Sequence, residues 1–212
     1  MKGFVIALLE ITLFFTTSAI ARWYFDPLQS LDCIMYYWFC FTILTGYWES
    51  VYITHFDDVR SYADKLVINK ESVWFLDYPV IYVKPDLLAK IFYAEYGANA
   101  DREYKSHVKG DYWSRLVESS HALCCAAFCL ASLVAVWFDQ EKVYRIGLVG
   151  MGMQFMNSLL YMGEYFLQCR DKNSVNYNCK DFPLGNWMYY RAFMWINAFW
   201  LLFPTIIIFQ YC

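Results

Sequence analysis

Residues 113–138 read WSRLVESSHALCCAAFCLASLVAVWF. Beyond Arg115, Glu118 and His121 are the only acidic or basic side chains in this window, and the rest is apolar or small. A helix needs about 20 mostly apolar residues to cross roughly 30 Å of hydrocarbon, and this stretch is long enough. Trp113 and Trp137 stand near its two ends, where amphipathic rings settle at a membrane–water boundary. Glu118 and His121 are three residues apart and therefore share a helix face. A charged side chain at the bilayer centre costs on the order of 2.5–3.5 kcal/mol on insertion scales, so such groups face a bundle interior, pair, or line a wet cavity. The window reads as a membrane span with a polar seam.

Four further windows have the same character: 4–21, 31–54, 143–167 and 187–208. The predicted fold is an all-α polytopic membrane protein, a five-transmembrane-helix bundle with a long polar insert (55–112) between helices 2 and 3. Residues 1–30 form the first helix and its connection, and 31–208 a four-helix membrane domain that includes the insert. Composition agrees, with 59% hydrophobic, 22% aromatic and 17% charged residues. Soluble domains hold about 45–50% apolar and about 25% charged residues. A net charge of −3 and the lack of a basic face exclude a nucleic-acid binder. The first window, after Lys2, has the look of a signal peptide, but Glu10 interrupts it and Ser18-Ala19-Ile20-Ala21 is a weak cleavage site. An uncleaved first helix is expected.

Within the insert, the aromatic and β-branched stretch 74–83 includes Pro79 and suits a short strand or an interfacial segment. Residues 85–97 carry Leu87, Leu88, Ile91 and Phe92 at helical spacing and are expected to lie on the membrane surface. The insert, Lys2 and the 168–186 loop hold most of the positive charge, whereas Arg22, Lys142 and Arg145 lie on the other side. The positive-inside rule places the N-terminus in the cytosol or the mitochondrial matrix. Cys33, Cys40, Cys124, Cys125 and Cys129 fall in spans, where cysteine acts as a small hydrophobe. Cys169 and Cys179 share a loop with spacing suited to a bridge, but on the reducing side they are expected to stay thiols. No CxxC occurs and the three histidines are scattered, so no metal site is expected. The chain shows neither a glycine-rich phosphate loop nor another cofactor motif.

Glu10, Glu49, Glu118 and Glu164 all fall inside windows, with His121 and Asn197 beside them. Glu49 follows Thr45 by four residues, and Asn197 precedes Trp200 by three, one turn before Pro204. Ser114, Ser119 and Ser120 add hydroxyls near Glu118. Three helices can thus direct carboxylate, imidazole, amide and indole groups into one cavity. A buried carboxylic acid can donate a proton and a second acid or histidine accept one, while an indole face stabilises a cation. Each residue taken alone also fits the role of polar glue between helices. Glu10 and Glu164 are assigned to that role, Glu164 with Arg191 as a candidate partner.

Two segments carry a resemblance: Glu95-Tyr96-Gly97 followed by Gly110-Asp111-x-Trp113-Ser114-x-x-x-Glu118, and Trp195-Ile196-Asn197-Ala198-Phe199-Trp200-Leu201-Leu202-Phe203-Pro204. Over roughly residues 31–205 the chain resembles the emopamil-binding protein family, whose shared module is the EXPERA domain and which includes the sterol Δ8–Δ7 isomerases. The resemblance implies a five-helix cavity for a sterol nucleus, in which a proton is added at C9 and another removed from C7 through a carbocation at C8. It implies acidic roles for Glu49 and Glu118, a hydrogen-bonding role for Asn197, and a cation-facing role for Trp200. Trp113, Ser114 and Thr45 would contact the substrate. Where the isomerases carry the histidine of an HxxxE motif this chain has Thr45, and where they carry threonine three residues after the third-span glutamate it has His121. Histidine and threonine have exchanged helices.

Two functions follow. The first is a cofactor-free sterol isomerase of the endoplasmic reticulum, in which His121 reaches the cavity from the opposite wall and Glu118→Gln abolishes turnover. The second is a catalytically silent accessory subunit of a large membrane complex, such as a respiratory or ATP synthase complex of the mitochondrial inner membrane. A lipid or sterol binder without catalysis lies between them. Expected partners are membrane lipids, a sterol, and either a second copy in a homodimer or the subunits of that complex.

Overall fold

The computed structural model describes residues 1–100, 112–168 and 193–211. Within them the chain is helical and no β-strand forms. The helices are α1 (Gly3–Tyr24), the single turn α2 (Asp26–Gln29), α3 (Cys33–Thr54), α4 (Phe56–Asn69), α5 (Pro85–Glu95), α6 (Tyr112–Ala135), α7 (Gln140–Gln168) and α8 (Phe193–Tyr211). The described parts of the five apolar windows fall mostly on helices. One of them, α1, is by length and composition long and apolar enough to cross a membrane, and Ser119–Ala135 and Trp195–Tyr211 are shorter apolar stretches. Tyrosine and tryptophan, which hydropathy scales score as nearly neutral, make up much of α3, and Gln154, Asn157 and Ser158 interrupt α7.

The helix ends follow local chemistry. Asp32 caps α3, its carboxylate accepting from the amides of Ile34 (2.8 Å) and Met35 (3.1 Å). Asp139 does the same for α7 through the amides of Glu141 and Lys142. Lys142 beside it, together with these amides, holds the Asp139 carboxyl below its ordinary range. Pro85 opens α5, where its missing N–H costs nothing. Lys70 ends α4 in the left-handed conformation, with φ of 55°.

The central helix is α3, which contributes side chains to two cores. One unites Ile6 of α1, Leu44, Trp48 and Tyr52 of α3, Val59 and Leu66 of α4, and Leu88 and Ile91 of α5. The other joins Met35 and Phe39 of α3, Cys129 of α6, Val143 and Met151 of α7, and Ile207 of α8. Close approach of helices depends on small residues. A Cβ on Gly46 would stand 2.4 Å from the Ala126 Cβ, and one on Gly147 2.5 Å from the Phe39 ring. The α6–α7 hairpin is further tied by the Ser132 hydroxyl, which donates to the Val143 carbonyl at 2.6 Å.

The described part of the insert, 55–100, is a folded layer. Helix α5 forms where its spacing predicts, but Leu88, Ala89 and Ile91 are buried against α3 and α4 instead of resting on a membrane surface. The 74–83 stretch forms no strand. It contains two short 3-10 turns, Val73–Phe75 and Val80–Val83, because Pro79 supplies no amide for a ladder. An isolated antiparallel bridge pairs Lys2 with Asp77. The Gly3 amide donates to the Leu76 carbonyl at 3.1 Å, and a Cβ on Gly3 would meet the Val73 carbonyl oxygen at 2.3 Å. The Lys2 ammonium, 2.6 Å from Asp77, holds that carboxyl below its ordinary value of 3.8. Tyr62 and Tyr78 share a hydrogen bond between their hydroxyls, and burial pushes both phenols up.

At the opposite end of α3, the Arg22 guanidinium donates to the Leu31 carbonyl at 2.6 Å, and Gln140 donates to the Ser30 hydroxyl at 2.7 Å. The α1–α3 connection and the α6–α7 turn therefore share one end of the bundle. Helix α1 buries a single stripe of Gly3, Ile6, Glu10 and Ser18 and exposes Phe4, Leu8, Leu13, Ile20 and Trp23. The five in-window cysteines described are free thiols, with Cys40, Cys125 and Cys129 buried. Cys169, Cys179 and Arg191 lie outside the described residues.

Candidate functional site

A cavity of about 300 Å³ opens where α1, α3, α5, α6, α7 and α8 meet, a volume at the low end of the roughly 300–1,000 Å³ of ligand pockets. Five of the residues singled out in the sequence line it: Thr45 and Glu49 from α3, His121 from α6, and Asn197 and Trp200 from α8. The helical offsets explain the convergence. Thr45 and Glu49 are one turn apart, and Asn197 and Trp200 nearly so, so each pair faces one way. Close packing of α3 against α6 at Gly46 brings the His121 turn beside the Thr45 turn, and Ala122 also lines the wall.

Glu49 is buried, and its Oε1 accepts a hydrogen bond from the Tyr93 hydroxyl at 2.7 Å. The Thr45 hydroxyl donates to the Thr42 carbonyl of its own helix at 3.1 Å. Asn197 Nδ2 donates to the Tyr96 hydroxyl at 3.5 Å, and the Tyr96 and Tyr161 hydroxyls are 3.4 Å apart. The Trp200 indole stands edge-on to Trp38 and Phe41, with centroids 5.3 and 5.4 Å away, and it borders the cavity. Such edge-to-face packing orients an indole closely.

Trp113, Ser114 and Glu118 belong to α6 by backbone, but their side chains lie outside the described residues, as does that of Glu164. Glu118 sits three residues before His121 on that helix. Among the described residues, no group of three or more His, Cys, Asp and Glu side chains is placed to hold a metal ion.

Several contributors escape a reading of the sequence. Tyr93 and Tyr96 come from the insert side, and Asn157, Ser158 and Tyr161 come from α7. Their signal was available only as helical offsets: three between Tyr93 and Tyr96, four between Asn157 and Tyr161. Glu95, between the two tyrosines, does not reach the cavity. Its Oε1 accepts from the Ser72 hydroxyl (2.9 Å) and Asn99 Nδ2 (3.0 Å), and its Oε2 accepts from the Val73 amide (2.7 Å). That clamp fixes the turn that carries Trp74 into the cavity wall.

No protein-family model matches the chain, and no curated protein and no solved structure matches it.

Proposed function

We propose that the chain is a five-span membrane protein of the EXPERA type whose cavity takes a sterol and moves a ring double bond by proton transfer. The observation that carries this reading is the meeting of Glu49, His121, Asn197 and Trp200, from three separate helices, around one largely apolar chamber. An acid gives a proton to one alkene carbon, the resulting cation rests against the Trp200 indole, and loss of a proton from the neighbouring carbon restores the double bond. Atoms and charge balance without a cofactor. Glu49 and Glu118 serve as the acidic groups, His121 as the base from the facing wall, and Asn197 as the hydrogen-bonding brace. An aromatic ring can contribute about 2 kcal/mol or more to a desolvated cation. The exposed apolar face of α1 and the rich apolar exterior of α6 and α8 support a lipid environment.

The test is sterol profiling of cells lacking their own Δ8–Δ7 isomerase. Conversion of Δ8 to Δ7 sterols by the chain, but not by its Glu49→Gln or Glu118→Gln forms, is the expected result. Absence of conversion despite confirmed membrane insertion removes the catalytic reading.

A second reading has its own observation. Ile68, Phe75, Val80 and Ile81 of the insert are exposed, outside the windows that would lie in lipid. Apolar side chains displayed there fit an accessory subunit docking onto a larger complex, with the cavity kept as a lipid site. Migration in mild detergent separates the two, because a free enzyme runs as a monomer or small homo-oligomer and a subunit runs with a complex.

A further inference from the structure

Helix α1 carries one buried carboxyl group that the proton-transfer scheme does not use. Glu10 is 3% exposed, its Oε1 accepts from Trp48 Nε1 at 3.1 Å, and its Oε2 has no hydrogen-bond partner among the described residues. Burying a carboxyl group with one oxygen unsatisfied is costly, and an aliphatic residue would suit the rest of this apolar helix better. The arrangement therefore calls for a local reason. Trp48 supplies it. The indole is almost fully buried, lines the cavity, and directly precedes Glu49 in the chain. Phe92 packs against it, with centroids 5.5 Å apart and planes tilted by 37°. Phe92 holds the ring by contact, and the Glu10 bond is the one that fixes its rotation. Ala7 and Ile11, on either side of Glu10 along α1, complete the same wall.

We infer that Glu10 is a positioning residue, which locks the Trp48 indole into a rigid wall beside Glu49 and so makes the cavity select a flat, fused-ring ligand over a flexible acyl chain. The inference rests on the reading of this cavity as a sterol site. A loosely held indole would adapt to either shape, whereas a fixed one favours the ligand already shaped to it.

The experiment uses the full chain in detergent with two probes, cholest-8-en-3β-ol and oleate, and compares Glu10→Gln, Glu10→Leu, Trp48→Phe and the Glu10→Leu/Trp48→Phe pair. Glu10→Gln keeps an oxygen acceptor and is expected to bind the sterol as the parent does. Glu10→Leu is expected to weaken sterol binding about tenfold while leaving oleate binding unchanged, and to add nothing to Trp48→Phe. In 5-fluorotryptophan NMR, the resonance that disappears in Trp48→Phe is expected to shift and broaden in Glu10→Leu and to stay in place in Glu10→Gln. Parent-like sterol affinity or an unmoved resonance in Glu10→Leu overturns the inference. Equal losses in Glu10→Leu and Glu10→Gln overturn it as well. Should Glu10→Leu fail to fold, Trp48→Phe probes the same bond from its donor side, and unchanged sterol preference there is equally fatal. If the parent chain binds no sterol while the resonance responds as expected, the sterol reading fails and the anchoring of Trp48 by Glu10 stands.

Discussion

The Tyr93 hydroxyl donates to Oε1 of Glu49 at 2.7 Å, joining residues 44 positions apart in the chain. Glu49 lies on the central helix α3, and Tyr93 on α5 of the insert. The insert is thus part of the cavity rather than a decoration between α3 and α6. The Tyr52 ring, 4.9 Å from that of Tyr93, holds the phenol from the α3 side. A carboxyl group in an apolar chamber keeps its orientation only if such a donor is fixed in its turn.

Tyr93→Phe removes that donor while keeping the ring contacts. The expected loss is about 1–3 kcal/mol of stability, the usual effect of depriving a buried acceptor of its partner. Unfolding in mixed micelles measures it. In the proton-transfer scheme the same change lowers turnover more than it raises KM, because Glu49 loses orientation rather than ligand contact. A variant as stable as the parent would show that the bond contributes nothing.

The helices were legible because each window combines adequate length with few charges, and Glu118 and His121 could be placed on one face from their spacing. Thr45 and His121 could be singled out too, and both residues line the cavity. The insert was harder. Its spacing pointed to a surface helix, yet α5 buries Leu88, Ala89, Ile91, Tyr93, Ala94 and Glu95, and α4 adds Val59, Ala63 and Leu66 to the same core. The spacing of Leu88 and Ile91 indicated a helix correctly but could not tell whether protein or membrane covers that face. Tyr93, Tyr96 and Tyr161 were obscured by abundance, since among 19 tyrosines the few that point inward have no distinct local pattern. Nor could residue spacing reveal that Glu10 meets Trp48, as the two lie on separate helices 38 positions apart.

Glu95→Ala tests the clamp beneath Trp74. The carboxylate gathers Ser72, Val73 and Asn99, and hydrogen bonds to a charged group contribute roughly 1.5–3 kcal/mol each with strong non-additivity. A net loss of roughly 3 kcal/mol is expected, with faster proteolysis between residues 70 and 80. Because Glu95 does not line the cavity, ligand affinity should fall through displacement of Trp74. Glu95→Gln should recover part of both effects. A protein indifferent to Glu95→Ala would mean that this turn is held by its other contacts alone.

Acid should loosen the pairing of the N-terminal residues with the insert. The Asp77 carboxyl is held below its ordinary value of 3.8, first by its hydrogen bond with Lys2. A carboxyl with a depressed folded-state pKa contributes stability that is present above its unfolded value and lost as pH falls through the folded one. The pairing should therefore be at full strength at neutral pH and release only below 3.8. Hydrogen exchange at the amides of Gly3 and Tyr78, which donate to Leu76 and Met1, reports the release when compared with Asp77→Asn at each pH. The substitution should raise exchange at pH 7 and make no difference once Asp77 is protonated. Equal protection of the two proteins at pH 7 would remove the ion pair from the account.

The five-span reading makes its own demand on sidedness. Helix α3 has 22 residues and so runs about 33 Å at 1.5 Å per residue, enough to separate its two ends by the thickness of a bilayer core. Ile68, exposed on the insert, lies beyond one end, and Lys142, exposed at the start of α7, lies by the other. With Cys33, Cys124, Cys169, Cys179 and Cys212 replaced by alanine, Ile68→Cys and Lys142→Cys should react with a membrane-impermeant maleimide from opposite faces of sealed vesicles. In the five-span reading the positive-inside rule would put residue 68 on the cytosolic or matrix face, together with Lys2 and the insert's lysines. The ion pair between Lys2 and Asp77 requires the N-terminus to share that face. Labelling of both positions from one side would be incompatible with α3 spanning the bilayer. Labelling from opposite sides with residue 68 outside would keep the spans and reverse their orientation, against the charge rule.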